Sequence, residues 1–411
     1  MAGGYNPGDI LIDDLTVNSP RSGSWQAAPN FLSGDVYETM FAPVVLASFE
    51  VLDDKDWLGQ LQIAGDETVS FAYRTPSGTS CQYQFHLNSV HDVSVEGALK
   101  SKRYKIECIT REAMHGQVNH VQKTYNTTID NIVQDIIQTK LNTSLPVFTE
   151  STKGNQKKII PNKPAMQAIE DLRKQAVSAQ NKGSNYMFWR TWRGFYFQSL
   201  EYMLQQGDVK TFKQINTVGH KLGTTVDDNI LAWEVKQNMD AVNRIQAGVM
   251  NNRVMTFDVH THRFVSKDIK PMASELKLLG NFAITTLETF LNIFSNGFKP
   301  VMHTTHTNPV TKTGMTYQPD ATPYKHLDLA AMQEQLMHMT VIGDPNLEPG
   351  KTHTANVNRV IGTTSSNQAE PQMSGRWLIA KTHHEIRGPE VRPRHVTNLE
   401  CLKGAYQQES A

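Results

Sequence analysis

At 411 residues the chain is too long for one compact core, and roughly two to four domains are expected. Hydrophobic residues at 39% and charged residues at 19% exclude a wholly disordered chain. The 40 basic residues balance 40 acidic ones, so overall charge marks neither a dedicated nucleic-acid binder nor a membrane-surface binder.

The N-terminal MAGGYNPGDI lacks the charged and apolar regions of a signal peptide, and no apolar run approaches the ~18 residues of a membrane span. Synthesis in a reducing cytoplasm, without a membrane anchor, is the expectation. Residues 1–36 are rich in Gly, Pro, Ser and Asn and read as an N-terminal arm, with only Ile10 to Val17 resembling a strand. Strand signals then follow one another at 42–52, 68–74, 80–90 and 102–109. In the third of these Cys81, Tyr83, Phe85 and Leu87 share one face and Gln82, Gln84, His86 and Asn88 the other, the signature of a sheet buried on one side. Residues 37–112 are therefore expected to form a first small β-barrel. Cys81, Cys108 and Cys401 fall in such windows without CxxC spacing and read as reduced, buried small hydrophobes.

The texture changes after Arg111. Ile129, Ile132, Val133, Ile136, Ile137 and Leu141 recur at helical spacing behind Thr127 and Asp130, which resemble a capping box. A second helix is expected from Pro164, a residue favoured in the first turn, with Ala165, Ile169, Leu172 and Ala176 facing inward. Asn185 to Met203 reads as an aromatic hairpin turning at Arg193 and Gly194, with its aromatics in the core and its arginines outward. Together these make an α+β domain over 113–205. Strand signals resume at 230–238 and 251–264, fade between Pro271 and Pro323, and return after an expected helix over His326 to Met339. The alternation of Met339 and Val341 against Thr340 and Ile342, the turn GDPNLEPG and the segment Ser374 to Ile386 follow, and His395 to Leu402 closes the pattern. Residues 206–264 with 336–405 are expected to form a split second β-barrel, interrupted by an insertion and lead-in helix at 265–335 and followed by a tail at 406–411. The fold class is α+β and mainly β.

Catalytic chemistry finds little footing. No HExxH, GxSxG, Walker A or GxGxxG motif occurs. His260 with His262, and His303 with His306, have no acidic or cysteine partner nearby in sequence and read as surface or packing histidines. Asp13-Asp14, Asp53-Asp54 and Asp227-Asp228 lie at loops or strand ends, where hydration or turn formation explains them. No enzyme activity, cofactor or metal is expected. The residues singled out are structural: Gly343, Pro345, Pro349 and Gly350 in the turn, and Gly375 and Trp377 in the strand that returns after it.

The order of these segments, with MFWRTWRGFYFQSL, MTVIGDPNLEPGKTHTANV and SGRWLIAKTHHEI as its most specific parts, resembles the baseplate hub subunit of contractile-tailed bacteriophages over roughly residues 37 to 405. The resemblance implies that both β domains are barrels of the tail-tube type. It also implies a structural virion protein of the tail baseplate, assembled in the host cytoplasm. Three copies would form a ring that adapts a six-fold tail tube to a three-fold central spike around a channel for the genome. The implied partners are two further copies, the trimeric spike, tail-tube or tube-initiator proteins, baseplate wedge proteins and, in passing, genomic DNA. Hub relatives with a spike or lysozyme-like extension differ from this sequence, which ends at Ala411, so such activity is expected on a separate partner. The rival reading is a carbohydrate-binding or adhesin-type β protein of the virion, in which Trp189, Trp192 and Tyr196 line an open groove.

Overall fold

The computed structural model describes residues 8–96, 101–180, 185–214, 226–237, 252–258, 263–269, 301–306, 332, 335–361, 364–370, 373–388 and 394–403. Expectations for residues 259–262 and for most of 271–334, including His260 and His262, lie outside them.

The chain begins with β1 (Leu11–Ser19), β2 (Gly23–Gln26), β3 (Phe31–Thr39) and β4 (Leu46–Asp53). After the short α1 (Trp57–Gln60) come β5 (Thr68–Arg74), β6 (Ser80–Glu96) and β7 (Ser101–Thr110). They pair antiparallel in the order β3-β4-β7-β6-β5-β1-β2. The alternation read from sequence holds in β6, where Cys81, Tyr83, Phe85 and Leu87 are buried in a first core with Phe49, Phe71 and Tyr73. From Leu11 to Val36 the segment expected to be an arm is strand-forming and packed. Leu15 and Val17 of β1 and Phe31 and Val36 of β3 are buried in that same core, and β1 pairs with β5 while β3 pairs with β4. Gly34 blurs the strand signal, yet it serves close packing: a Cβ there would lie 3.0 Å from the rings of Phe31 and Phe49.

The α+β unit follows as α2 (Arg111–Val118), β8 (His120–Thr127), α3 (Ile129–Lys140), β9 (Val147–Thr149), β10 (Gln156–Pro164), α4 (Ala165–Arg173), β11 (Tyr186–Arg190), β12 (Phe195–Ser199) and α5 (Leu200–Gln205). The inward positions expected of α3 and α4 are all buried, in a second core. Pro164 sits at the N-cap of α4. The capping box does not form. Thr128 is the N-cap of α3, and the Asp130 carboxylate reaches sideways, accepting from the Thr152 backbone N–H at 3.1 Å and from its hydroxyl at 2.6 Å. An alternative partner in the next loop outcompetes the local motif.

The remaining strands are β13 (Asp208–Lys213), β14 (Ile230–Gln237), β15 (Asn252–Asp258), β16 (Arg263–Ile269), β17 (Val301–His306), β18 (Gln335–Ile342), β19 (Thr352–Asn356), β20 (Asn358–Ile361), β21 (Thr364–Ala369), β22 (Gly375–Arg387) and β23 (His395–Lys403). The order β14-β18-β23-β22, with β19 on β22 and β13 on β19, surrounds a core of Phe212, Met337, Met339, Val341, Leu347, Trp377 and Ile379. Two expectations are corrected here. Residues from Gln335 onward form a strand and not the end of a helix, because β18 finds hydrogen-bonding partners on both sides, β14 and β23. β15 belongs to a separate small sheet with β16 and β17, which carries His303 and His306, and has no described pairing with the large sheet.

The two β units are joined edge to edge. β22 pairs with β3 from Lys381↔Thr39 to Arg387↔Ser33, so one sheet runs through both halves. A bulge between Ile379 and Lys381 reverses the alternation of β22. Trp377 and Ile379 therefore face one core, Leu378 and Ala380 the other side, and His384 and Ile386 turn back inward. His384 thus does not share a face with Leu378 and Ala380, as unbroken alternation would have placed it.

Candidate functional site

The turn from Gly343 to Gly350 is built from its own residues. Asp344 accepts at Oδ1 from the backbone N–H of Asn346 at 2.9 Å, and Leu347 donates to the Asp344 carbonyl at 3.2 Å while burying its side chain. The Gly343 N–H donates to the His395 carbonyl at 2.9 Å and the Gly350 N–H to the Ile379 carbonyl at 2.8 Å, which ties both ends to the neighbouring strands. Pro345 and Pro349 lack N–H groups, and their carbonyls take up a further role. Pro345 O accepts from Trp192 Nε1 at 2.9 Å and Pro349 O from Trp189 Nε1 at 3.0 Å.

Both indoles come from the aromatic hairpin, which is buried on both faces. Tyr186, Phe188, Phe195 and Phe197 pack on the α3 and α4 core. Met187, Trp189 and Tyr196 pack with Leu378, Ala380 and Leu402 of β22 and β23. The hairpin is the wedge between the α+β unit and the large sheet. The expectation of outward arginines fails at Arg190, which is buried against Glu112 of α2 at 2.7 Å. The carbohydrate-binding alternative needed an open aromatic groove, and Trp189 and Tyr196 are instead 1% and 5% exposed.

The tip of the hairpin, Thr191 to Gly194, lies between two buried carboxylates. Glu348 of the turn accepts at Oε2 from Thr191 Oγ1 at 2.8 Å and from the Tyr196 hydroxyl at 3.1 Å, and pairs with Arg193. Glu38 of β3 accepts at Oε1 from the Trp192 backbone N–H at 2.9 Å and from the Tyr83 hydroxyl at 3.2 Å. Burial raises the pKa of both acids. For Glu38 the nearby Glu348 carboxylate adds to it, and the value is pushed up to about 8. Beneath Gly343 lies a buried imidazole pair, His384 Nδ1 to His395 Nε2 at 3.2 Å, both held neutral by burial, with His395 lowered to about 3.

The structure brings together four of the six residues singled out from sequence, Gly343, Pro345, Pro349 and Gly350, over this junction. Gly375 opens β22 at φ +119° opposite Ala355, and Trp377 is buried in the second β core with its Nε1 donating to the Met373 carbonyl at 3.2 Å. Both lie in the second β half and take no part in the junction's hydrogen bonds. Glu38, Glu112, Arg190 and Glu348 were not singled out, since their neighbours lie far away in sequence. Among the described residues no group of His, Cys, Asp or Glu side chains is arranged to hold a metal.

Two glycines of the turn are fixed by close approach. A Cβ on Gly343 would overlap the His395 ring. A Cβ on Gly350 would overlap the Trp189 ring, and Gly350 also has φ +85°. Gly350→Ala is expected to destabilise the fold by about 2 kcal/mol, from overpacking and left-handed backbone strain together. The urea midpoint at unchanged slope measures it; an unaltered midpoint would show that the wedge yields freely.

The side of the large sheet away from the cores stays open at the join. One cross-strand row runs Thr340, Asn398, His383, Tyr37, Leu46 over five strands. Lys381 is matched with Glu400 at 2.9 Å and Arg103 with Glu50 at 2.7 Å, and the His383 ring lies 2.7 Å from Asp35.

No family model matches the chain, and no curated protein sequence matches it. Among solved structures, the chain is similar to the tail protein from Neisseria meningitidis MC58, with TM-score 0.57 and 9% identity over 95% of this chain and 96% of that one. It is also similar to the 43 kDa tail protein of prophage MuSo2 from Shewanella oneidensis, with TM-score 0.53 and 9% identity over 95% of this chain and 98% of that one. At such identity the likeness is one of fold, and it spans nearly the whole length of each protein.

Proposed function

We propose that the chain is a structural baseplate hub protein of a contractile phage tail. Three copies form a ring that adapts the six-fold tail tube to the three-fold central spike and surrounds the path of the DNA. The observation that carries this reading is the β3–β22 seam, which sets two core-bearing β halves side by side in one continuous sheet. Three such chains offer six halves toward a tube and three chains toward a spike, the symmetry conversion that a hub performs. The likeness in fold to two tail proteins supports a place in the virion tail. On this reading the binding partners are a trimeric spike, tube or tube-initiator proteins and wedge proteins. The role is mechanical and not enzymatic.

The open face of the seam fits a channel wall. Lys381 and Arg103, which already hold carboxylates at 2.9 and 2.7 Å, give a passing polyanion little to grip. Mass measurement of the purified chain under native conditions, alone and with its spike, is expected to give a trimer. Reconstruction of the intact particle is expected to show three copies around the tail axis. A particle holding a single, asymmetric copy would overturn the reading.

A further inference from the structure

Glu38 stands where three units of the chain meet: its own strand β3, the hairpin tip and the Gly343–Gly350 turn. Its Oε1 holds the Trp192 N–H and the Tyr83 hydroxyl, and among the described residues no donor reaches Oε2. The groups facing it from the packed elements are Tyr73 of β5, Cys81 and Tyr83 of β6, Glu348 of the turn, and Arg190 of the hairpin. Tyr73, Cys81 and Tyr83 keep their protons, since burial raises all three. The two guanidiniums are already committed, Arg190 to Glu112 of α2 and Arg193 to Glu348. Glu38 is the surplus acid. Ionised there, it would be a buried charge with no counter-ion of its own, beside a second carboxylate, and the attraction of Arg190, which is paired with Glu112, does not offset burial and Glu348.

We propose that Glu38 carries a proton on Oε2 whenever the hairpin tip is seated, so that seating the tip between the two β halves takes up one proton and unseating it releases one to solvent. The junction is then a pH-sensitive clamp.

The sign follows from linkage. With the tip lifted and Glu38 hydrated, its pKa returns toward the ordinary carboxylate range, about 4.3. Seated, it lies at about 8. Between these values the seated form binds one proton more than the open form. The opening equilibrium therefore grows about tenfold per pH unit from about pH 4.5 to about pH 8 and levels off above. The clamp is tightest on the acid side of that window.

Hydrogen exchange of the Trp192 amide in the full chain reads the opening directly, because that N–H is the one Glu38 holds. Its protection factor, corrected for the intrinsic pH dependence of exchange, is expected to fall about tenfold per pH unit across the window. In Glu38→Gln, an isostere that cannot ionise, this slope should be lost, leaving only the contribution of Glu348, which burial also raises. In Glu348→Gln, which removes the neighbouring carboxylate, the level region should begin at lower pH. A flat wild-type profile, or the wild-type slope persisting in Glu38→Gln, overturns the proposal. Should Glu38→Gln not fold, the infrared carbonyl band of a protonated carboxyl in the wild type at about pH 7, lost on alkalinisation, decides it, and absence of that band overturns it. The clamp lies within one chain, so these outcomes stand apart from whether the protein is a hub.

Discussion

Arg190→Ala is expected to cost about 3–5 kcal/mol of folding stability, the range for breaking a buried ion pair from one side. Arg190 is 3% exposed, and its guanidinium lies 2.7 Å from Glu112 Oε2 and 5.6 Å from the centroid of Phe195. Truncation leaves Glu112 buried with one remaining partner, the Thr143 hydroxyl at 3.0 Å on its other oxygen. The cost is thus the stranded anion and not merely a lost contact. Two controls separate these terms. Arg190→Met keeps much of the packing and should lose nearly as much, whereas Arg190→Met with Glu112→Gln should recover part of the loss by removing the charge. Urea midpoints of the three variants check the order. A loss in Arg190→Met far smaller than in Arg190→Ala would instead assign the effect to packing against Phe195.

This pair also marks where reading the sequence stopped. Periodicity exposed α3 and α4 because each presents one apolar stripe to one core, and their inward residues are buried as expected. β6 and the end of β18 were legible for the same reason, one face buried and one polar. The hairpin was legible as a hairpin but not as a wedge. An all-aromatic run buried on both faces has no alternation to show which side meets which partner, and Arg190 looks like any strand arginine until Glu112, 78 positions earlier, is known to lie beside it. Local rules failed where a distant partner outbid them: β18 displaced a helix-forming sequence, Asp130 left its capping role for Thr152, and the bulge in β22 reversed a face.

The turn was singled out for its glycines and prolines, which shape the backbone. Its larger contribution is as an acceptor surface. Two proline carbonyls meet two indole N–H groups, and Glu348 between them meets a threonine, a tyrosine and an arginine. Carbonyl acceptors leave no trace in a sequence, since every residue has one. The partner side did leave a trace: two tryptophans three residues apart around a hairpin tip, each needing an acceptor once buried.

Trp189→Ala is expected to cost about 3–5 kcal/mol, as large aromatic truncations in cores do. The ring stacks on Tyr196 with centroids 5.0 Å apart at 10°, and its loss opens a void against Leu378, Ala380 and Leu402 while stranding the Pro349 carbonyl. Trp189→Phe keeps part of the ring but loses the donor and some volume, so it should cost less than the alanine change, with about 1–3 kcal/mol of its loss coming from the unsatisfied acceptor. The contact with Gly350 supplies a sharper check than either single variant. Gly350→Ala is costly because its Cβ meets the Trp189 ring and because φ is positive. Once Trp189 is alanine the first reason disappears and only the backbone term of about 1 kcal/mol remains. The double variant should therefore be more stable than the sum of the two losses predicts, a coupling in the range of about 0.5–3 kcal/mol. Strict additivity would mean that the turn and the hairpin do not bear on each other, and the wedge between the α+β unit and the large sheet would have to be held elsewhere.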